Sequence, residues 1–252
     1  MTGPLAAVEV TGVRFRYPDG RQALDGVDLR VARGERVAVL GPNGSGKTTL
    51  VLHLNGILRP QEGSVVVRGI EVSAATLRQV RRLVGIVFQD PDDQLFMPTV
   101  AADVGFGPAN LGVEGEELDR VVASALAAVG LLDAADRAPH HLSFGQRRRA
   151  CLATVLSMEP ELLVLDEPTS NLDPVARREL ADLVRSLDRT TIVVTHDLLH
   201  ALDVCERSVI LDGGRVVADG PTVELLADGE LLARHRLELP RGVSLSAERL
   251  TS

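Results

Sequence analysis

Residues 41–48 read Gly-Pro-Asn-Gly-Ser-Gly-Lys-Thr and match the phosphate-loop pattern G-x-x-x-x-G-K-[ST]. They follow the apolar run Arg36–Leu40 and precede a helical pattern that extends from Lys47 to about Asn55. Glycines in such a loop let backbone N–H groups turn inward and surround phosphate oxygens at a helix N-terminus. The fold must therefore place a buried strand, this loop and a helix in succession.

The lysine of this loop is the only one in the chain, because the other 26 of the 27 basic residues are arginine. This bias indicates that the position needs a compact cation on a flexible stem. We expect Lys47 to reach the β- and γ-phosphates of a nucleoside triphosphate, and the Thr48 hydroxyl to bind Mg²⁺. A glycine-rich turn that contains lysine by chance is the alternative, which the strand–loop–helix context disfavours. The other loop residues predicted to contact the nucleotide are Gly41, Pro42, Asn43, Gly44, Ser45, Gly46 and Thr49.

Two adjacent carboxylates, Asp166 and Glu167, follow the apolar run Leu162–Leu165. Residues that leave the end of a strand side by side can divide two tasks between them. We predict that Asp166 holds Mg²⁺, directly or through water, and that Glu167 is the general base for the attacking water. Such a pair alone is as often structural, and the phosphate loop upstream favours the catalytic interpretation.

The distribution of apolar residues predicts an α/β fold. Continuous apolar runs separated by helical segments are typical of a mostly parallel sheet. They occur at Val84–Phe88, Leu162–Leu165, Ile192–Val194 and Val209–Leu211. Alternating apolar residues predict N-terminal antiparallel strands, and they are Val8, Val10, Val13, Val27, Leu29 and Val31.

The segment between two of these runs differs from the rest of the chain. It has helical patterns at Glu116–Val129 and Gly145–Leu156 and no convincing strand. We therefore predict one domain over residues 1–252, a P-loop NTPase with an inserted helical subdomain. The predicted parts are a core of residues 1–90 and 159–220, the helical subdomain 91–158, and a C-terminal tail 221–252 that contains a short amphipathic helix.

Composition disfavours several other classes of protein. The formal net charge is −8 and aromatic residues make up 2% of the chain, which argues against nucleic-acid binding. No apolar run approaches the roughly 20 residues that span a bilayer. Cys151 and Cys205 lie in unrelated segments and are expected to be free thiols, and the N-terminus has no signal-peptide pattern. These features predict a soluble, intracellular chain.

Four further motifs occur around the phosphate loop and the carboxylates. They are Gln89 after a strand, Leu142-Ser-Phe-Gly-Gln146 at the start of a helix, Ser170-Asn-Leu-Asp173 after the carboxylates, and His196 after a strand. These motifs occur in the order found in ATP-binding-cassette ATPases, and the chain resembles that family over roughly residues 8–220.

The resemblance implies a role for each motif. Tyr17 would stack on adenine, although a surface tyrosine at a strand end is the alternative. Gln89 would ligate Mg²⁺ or position water, and His196 would contact the γ-phosphate. Ser143, Gly145 and Gln146 correspond to the signature motif, which binds the γ-phosphate of ATP held by the opposite subunit. Asp173 would contact that subunit and belongs to the same composite site. Phe144 departs from the family, which usually has glycine there.

A second stretch is similar to the ATPases of energy-coupling-factor importers, especially the cobalt/nickel branch. It comprises Val87–Phe96, Thr99-Val100 and Asp103–Pro108, together with Leu142–Arg149. The resemblance implies that this stretch meets the coupling helices of a transmembrane protein. Its acidic rim is Asp90, Asp92 and Asp93, and its apolar anchor is Leu95, Phe96 and Met97. An acidic loop over a small core is the alternative.

Taken together, these motifs predict an ATPase that forms a homodimer on binding ATP and Mg²⁺. The dimer would lie at the cytoplasmic face of the cell membrane as a peripheral subunit. It would drive cobalt or nickel import through a transmembrane coupling protein and a substrate-binding membrane subunit, docked near Gln89–Phe96. A vitamin importer of the same architecture and an ordinary importer with a binding protein are alternatives.

Proteins outside transport fit less well. A soluble cassette ATPase of DNA repair would carry a long coiled coil between Lys47 and Ser143, and one of translation would usually fuse two cassettes. A small-molecule kinase would leave the signature motif and His196 unexplained.

Two histidine pairs and an arginine run complete the sequence features. His196 and His200 have the spacing of a zinc-binding pair, but no third ligand lies nearby in sequence, and the pair His140-His141 is equally unsupported. We therefore assign no transition metal. Arg147-Arg148-Arg149 is expected to form a solvated or intersubunit helix face.

Overall fold

The computed structural model describes residues 6–240 and 243, and the elements are given for this part of the chain. The strands are β1 (Ala6–Arg16), β2 (Gln22–Ala32), β3 (Arg36–Leu40), β4 (Glu62–Val67), β5 (Ile70–Glu71), β6 (Val84–Val87), β7 (Leu162–Asp166), β8 (Thr190–Thr195), β9 (Arg207–Asp212) and β10 (Arg215–Pro221). The helices are α1 (Lys47–Leu54), α2 (Leu77–Leu83), α3 (Val100–Asn110), α4 (Gly115–Ala128), α5 (Phe144–Leu156), α6 (Pro174–Ser186), α7 (Leu198–Val204), α8 (Thr222–Ala227) and α9 (Gly229–Arg234).

The predicted mostly parallel sheet is confirmed. Its strand order is β10-β9-β3-β8-β7-β6, and only the edge strand β10 pairs antiparallel within this sheet. Strand β3 shows why its sequence is apolar throughout. Ala38 and Leu40 join a core on one face, and Val37 and Val39 join a second core on the other. A strand that is covered on both faces needs apolar residues at every position.

A smaller antiparallel sheet, ordered β2-β1-β4-β5, packs over one of these cores. Its first two strands are the predicted N-terminal pair, and their alternating valines and leucine are buried. Strands β4 and β5 are not predicted from the sequence. Gly63 in β4 approaches the Thr11 carbonyl so closely that a Cβ would lie 2.3 Å from it, and this glycine interrupts the apolar pattern.

Residues 91–158 contain α3, α4 and α5 and no strand, as expected. The sequence patterns locate α4 and α5 to within about one residue, but they miss α3. Gly105, Gly107 and Pro108 lie inside α3 and lower its intrinsic helix propensity. The small residues serve packing instead, since a Cβ on Gly107 would lie 2.3 Å from the Met158 sulfur. Helix α5 also packs on β6, so a subdomain boundary at residues 91 and 158 stays a prediction.

The beginning of the predicted C-terminal tail forms two short helices instead of one. Helices α8 and α9 follow β10, and Leu226, Leu232 and Leu237 are buried in the core that also contains α7. This part of the chain is therefore packed against the domain. The rest of the predicted tail, residues 241–242 and 244–252, lies outside the described residues.

Candidate nucleotide-binding site

The phosphate loop lies between the C-terminal end of β3 and the first turn of α1. Gly41 has φ +154° and a Cβ there would lie 2.1 Å from the Leu211 carbonyl oxygen. Lys47 donates from Nζ to the carbonyl oxygens of Gly41 at 2.7 Å and Pro42 at 3.0 Å. The lysine ammonium group thus ties the first two carbonyls of the loop to the first turn of α1.

The lysine and the first carboxylate form a buried ionic group. Burial lowers the pKa of Lys47, while the charges of Glu167 and Asp166 raise it. Burial raises the pKa of Asp166, and a hydrogen bond from the Thr48 hydroxyl opposes that shift. Asp166 Oδ1 and Ser45 Oγ are buried polar atoms without a hydrogen-bond partner. Orphaned oxygens of this kind, beside a lysine ammonium group, fit a site for phosphate and Mg²⁺.

The second carboxylate is held in one orientation by the end of β8. Glu167 has φ +47°, and its N–H donates to the Val194 carbonyl at 2.8 Å. Its Oε2 accepts a hydrogen bond from the Thr195 hydroxyl at 3.2 Å, and its Oε1 lies 2.9 Å from His196 Nδ1. The Glu167 side chain is only 8% exposed, whereas that of His196 is 59% exposed. A fixed carboxylate at the rim of a cleft can accept a proton from a water molecule there.

A cleft of about 430 Å³ brings most of the predicted nucleotide contacts together. The loop residues that line it are Asn43, Gly44, Gly46, Lys47, Thr48 and Thr49, and the others predicted from the sequence are Tyr17, Gln89, Glu167 and His196. Gly41, Pro42, Ser45 and Asp166 are predicted contacts that do not line this cleft. Arg21 also lines the cleft, and its guanidinium carbon lies 4.8 Å from the centre of the Tyr17 ring.

Tyr17 is connected to the phosphate loop through a closed set of contacts. Its hydroxyl lies 3.1 Å from the Thr49 hydroxyl, and the Thr49 carbonyl lies 2.7 Å from His53 Nδ1. The Phe15 ring packs edge-on against both the Tyr17 ring at 5.1 Å and the His53 ring at 4.9 Å. His53 is fully buried, and burial lowers its pKa. The tyrosine ring is therefore anchored to α1, which also begins with Lys47.

The remaining predicted residues form a second, separate cleft of about 320 Å³. Ser143 caps α5 by accepting from the Gln146 N–H at 3.2 Å, and its own N–H donates to Gln146 Oε1 at 2.9 Å. Asp173 caps α6, and hydrogen bonds from the Ala176 and Val175 N–H groups lower its pKa. No residue that lines this cleft also lines the first one. Within one chain, the two predicted groups do not meet.

Neither histidine pair gathers further ligands within the described residues. His200 is buried on α7 and His196 is at the first cleft. The rings of His140 and His141 meet edge-on with centroids 4.3 Å apart. Across residues 6–240 and 243, no group of three His, Cys, Asp or Glu side chains is placed to hold a metal ion. In the same part of the chain, no helix has the length and apolar character needed to cross a membrane.

Comparison with known proteins decides the family. A family model described as ABC transporter matches residues 24–170, more than half of the chain. The chain belongs to the ABC transporter family. It is the ATP-binding and ATP-hydrolysing subunit of a transporter, which confirms the prediction of an ATPase. The resemblance to energy-coupling-factor ATPases is also confirmed, because the relatives include an energy-coupling factor transporter ATP-binding protein and CbiO1.

Two relatives share most of their length with this ATPase. A Streptomyces coelicolor protein that carries the description ABC transporter ATP-binding protein is 62% identical over 250 residues, 96% of either chain. The energy-coupling factor transporter ATP-binding protein EcfA of Methanothermobacter thermautotrophicus is 46% identical over 243 residues, which cover 94% of this chain and 78% of the relative.

Two solved structures have the same fold. CbiO1 of Clostridium perfringens, described as part of the ABC transporter complex CbiONQ, has a TM-score of 0.81 and 38% identity, covering 94% of this ATPase and 96% of that chain. A dimeric ATP-binding cassette, MJ0796, bound to ADP and phosphate has a TM-score of 0.77 and 29% identity, covering 85% and 98%.

Of the predicted solvated or intersubunit face, the solvated alternative is wrong for Arg148, and the intersubunit alternative stays a prediction. Arg147 pairs with Asp92 at 2.5 Å and Arg149 with Glu179 at 3.4 Å, so these two do lie near the surface. Arg148 is only 2% exposed and is buried under the ring of Phe144. A run of three like charges on a helix cannot lie on one face, because successive residues are about 100° apart.

The stretch after β6 presents an apolar surface. Phe96 is 63% and Phe106 is 45% exposed, and the two rings pack edge-on with centroids 5.0 Å apart. Asp103 is buried beneath them and accepts the N–H groups of Phe96 and Met97, each at 3.0 Å. Leu95 is buried instead and forms part of the core. Of the three residues of the predicted anchor, Phe96 is thus exposed and Leu95 is not, and Phe106, 10 positions after Phe96, adds a second exposed ring.

Several site residues of the ATPase are not predicted from the sequence. Thr195, His53 and Arg21 contact predicted residues, but none of the three belongs to a motif that the sequence analysis identified. Arg148 lies in the arginine run, but its buried position was not predicted. The spacing of Thr49 and His53 is a usable signal, since residues four apart lie on the same face of a helix. The contacts of Arg148 have no such local signal.

Proposed function

We propose that this ATPase acts as a homodimer with two composite ATP sites and drives the import of cobalt or nickel through membrane partners. The observation that carries the proposal is the separation of the two clefts. The second cleft, which Ser143 lines, holds a capped helix N-terminus suited to an anion, yet it lies apart from Lys47 and Glu167 of the same chain. In a dimer, the second cleft of each copy can face the first cleft of the other copy, which gives two complete sites.

The residues of the first cleft have distinct tasks in this proposal. Lys47 and the loop N–H groups bind the phosphates, and Tyr17 stacks on the base. Glu167 takes the proton of the attacking water, and His196 both orients Glu167 and contacts the γ-phosphate. From the partner copy, Ser143, Gly145 and Gln146 bind the γ-phosphate, and Asp173 contacts the facing chain.

Thr48, Gln89 and Asp166 would hold Mg²⁺, which supplies charge neutralisation between the β- and γ-phosphates. All three offer oxygen atoms, the ligands that Mg²⁺ prefers. The orphaned Asp166 Oδ1 is the observation that supports this assignment.

Two further observations support a homodimer. Every predicted element of the composite site, including Glu167 and the signature residues, is present in this one chain. The related cassette MJ0796 is a dimer in the structure that contains ADP and phosphate. Identical copies would therefore form two competent sites, and no second, different ATPase chain is required.

Phe96 and Phe106 are proposed to receive the coupling helix of a transmembrane protein that acts together with a substrate-binding membrane subunit. Their exposed rings offer an apolar anchor of the kind that interfaces bury at their centre. Of the predicted acidic rim, Asp92 forms an ion pair with Arg147. Asp90 and Asp93 would therefore supply the negative charge beside the exposed rings. The ATPase would thus be a peripheral subunit at the cytoplasmic face of the membrane.

The cargo rests on resemblance. The similarity of Val87–Phe96 and Leu142–Arg149 to the cobalt/nickel branch supports a cobalt or nickel cargo. The CbiO1 relative is described as part of the ABC transporter complex CbiONQ, and that description names no cargo. The EcfA relative carries the name of an energy-coupling factor transporter without a stated cargo, so a vitamin importer of the same architecture is the second candidate. Mass spectrometry of proteins that co-purify with the tagged ATPase from native membranes distinguishes a metal-binding from a vitamin-binding subunit.

The catalytic part of the proposal is tested by E167Q. We expect the turnover of ATP to fall at least about a hundredfold, because the general base is lost, while ATP binding persists. E161Q is the matched control, because Glu161 precedes the opposite end of β7 and pairs with Arg68 away from the cleft. Turnover of E167Q near that of E161Q would contradict the assignment of the base.

A further inference from the structure

Arg148 is a buried cation at a junction of three segments. It lies on α5, and its Nη1 donates to the Phe88 carbonyl at 3.1 Å while its Nη2 donates to the Ser170 carbonyl at 3.4 Å. Phe88 directly precedes Gln89, and Ser170 opens the loop that ends at Asp173. One guanidinium group therefore joins the signature helix to a segment of the first cleft and to a segment of the second.

The residue before Gln89 is held by α5 through its other backbone group as well. The Phe88 N–H donates to Gln94 Oε1 at 3.1 Å. The Gln94 amide in turn donates to the Cys151 carbonyl at 2.9 Å and to the Thr154 hydroxyl at 2.7 Å, and both of these residues belong to α5. The N–H and the C=O of Phe88 are thus both tied to α5 by hydrogen bonds, directly or through Gln94.

Phe144 lies against the same guanidinium group. Its ring centroid is 5.2 Å from the guanidinium carbon of Arg148 and 5.4 Å from that of Arg147. A planar guanidinium can lie over a ring while its two Nη atoms donate to separate carbonyls, whereas the donors of an ammonium group all lie on one nitrogen. Glycine at position 144 would leave this face of Arg148 open, so the unusual residue in the signature and the buried cation belong together.

We propose that Arg148, covered by Phe144, is a positioning residue that holds the Ser143 end of α5, Gln89 and Asp173 in one arrangement, so that they move together when two copies close on ATP. The inference rests on the proposed dimeric function. Arg148 lines the second cleft together with Ser143, and its hydrogen bonds go to the backbone of Phe88 and Ser170.

The test measures dimer formation by light scattering in the E167Q background as a function of ATP concentration. R148Q and F144G should each raise the ATP concentration for half-maximal dimer about tenfold, because each loosens a charged hydrogen-bonded group. The double variant should be no worse than R148Q, since both changes disrupt one contact. ATP binding to the monomer, measured at low protein concentration, should change less than about twofold, because Lys47 and its loop do not touch Arg148.

Two further variants separate positioning from general stability. R189Q is the matched control, because Arg189 lines neither of the two clefts. Arg189 donates a hydrogen bond of 2.6 Å to the Pro160 carbonyl, so R189Q also replaces an arginine that is bonded to a backbone carbonyl. It should leave dimer formation unchanged. R148K keeps the positive charge but has all its donors on one nitrogen, so it should lose part of the guanidinium's spread of contacts and resemble R148Q. It also serves if R148Q does not fold.

Three outcomes would overturn the inference. Dimer formation by R148Q, or by R148K in its place, at the ATP concentration of the parent would show that the junction does not matter. A loss of monomer ATP binding as large as the loss of dimer would show a general defect of folding. Failure of E167Q to dimerise with ATP would overturn the proposed dimeric function itself. This outcome is distinguishable, because it appears in the variant that still has Arg148 and Phe144.

Discussion

His196 Nδ1 lies 2.9 Å from Glu167 Oε1, so the imidazole fixes the carboxylate from the side that faces the cleft. H196A should reduce kcat for ATP hydrolysis by about a hundredfold, the usual contribution of a positioned acid–base pair. H196Q retains an amide that can donate to Glu167 and should recover part of the activity. Steady-state ATPase assays check this, and an H196A turnover equal to wild type would contradict the assignment.

The contacts among Tyr17, Phe15, His53 and Thr49 predict that a buried histidine influences base binding. H53F keeps a ring against Phe15 but loses the hydrogen bond to the Thr49 carbonyl, and H53Q loses the ring. We expect H53Q to weaken ATP binding about three- to tenfold, with a smaller effect in H53F, because an aromatic pair contributes about 0.5–1.5 kcal/mol.

The control for this experiment is inorganic tripolyphosphate, which has no base. Its affinity should be the same in H53Q and wild type, since Lys47 and its loop are unchanged. Equal losses for ATP and tripolyphosphate would indicate a damaged phosphate loop instead. Y17A provides the reference for base stacking. If the ratio of the ATP affinity to the tripolyphosphate affinity is the same in Y17A as in wild type, Tyr17 does not stack on the base.

Two glycines of the phosphate loop should differ in their tolerance of alanine. G41A places a Cβ 2.1 Å from the Leu211 carbonyl oxygen, whereas G44A, at φ +79°, meets no atom within 4 Å. We expect G41A to lower the free energy of unfolding by roughly 2 kcal/mol or more, about 5 °C in Tm, and G44A by about 1 kcal/mol. Thermal unfolding without nucleotide measures both, and equal Tm values would be inconsistent with the close approach.

The Phe96–Phe106 pair predicts where membrane partners bind. The double change F96A/F106A should weaken co-purification with those partners about a hundredfold, because aromatic anchors dominate interface energies. ATP binding by the ATPase alone should persist. V217A, at a residue 39% exposed on β10, is the control. Retention of the partners by F96A/F106A would exclude this surface.

Buried His200 predicts a dependence of stability on pH. Burial lowers its pKa below the ordinary value of 6.5, although the nearby charges of Asp197 and Asp203 oppose the shift. The unfolded chain therefore binds this proton more readily, and the free energy of unfolding falls as the pH drops below about 6.5. Urea unfolding at pH 7.5 and 5.5 should show a smaller difference in H200M than in wild type. H140Q, which changes an exposed histidine, should keep the full difference.

The motifs that sequence analysis located have a local physical cause. The phosphate loop is eight consecutive residues whose glycines and lysine determine the backbone path by themselves, and the Ser143–Gln146 capping box needs only a spacing of three. The parallel strands are visible because burial on both faces demands apolar residues throughout. In contrast, α3 is not predicted, because its glycines and proline weaken the local helical signal. Gly105 and Gly107 instead allow close packing against α4 and Met158.

The sequence by itself determined the family, the phosphate loop, the carboxylates and the residue types of both clefts. Only the tertiary structure decided that the clefts are separate within one chain, that Arg148 is buried between Phe88 and Ser170, and that His53 supports Tyr17 through Phe15. The physical reason is that a motif records interactions among neighbours along the chain. The contacts of Arg148 span 60 and 22 residues, and they arise only when the packing of α5 brings those segments together.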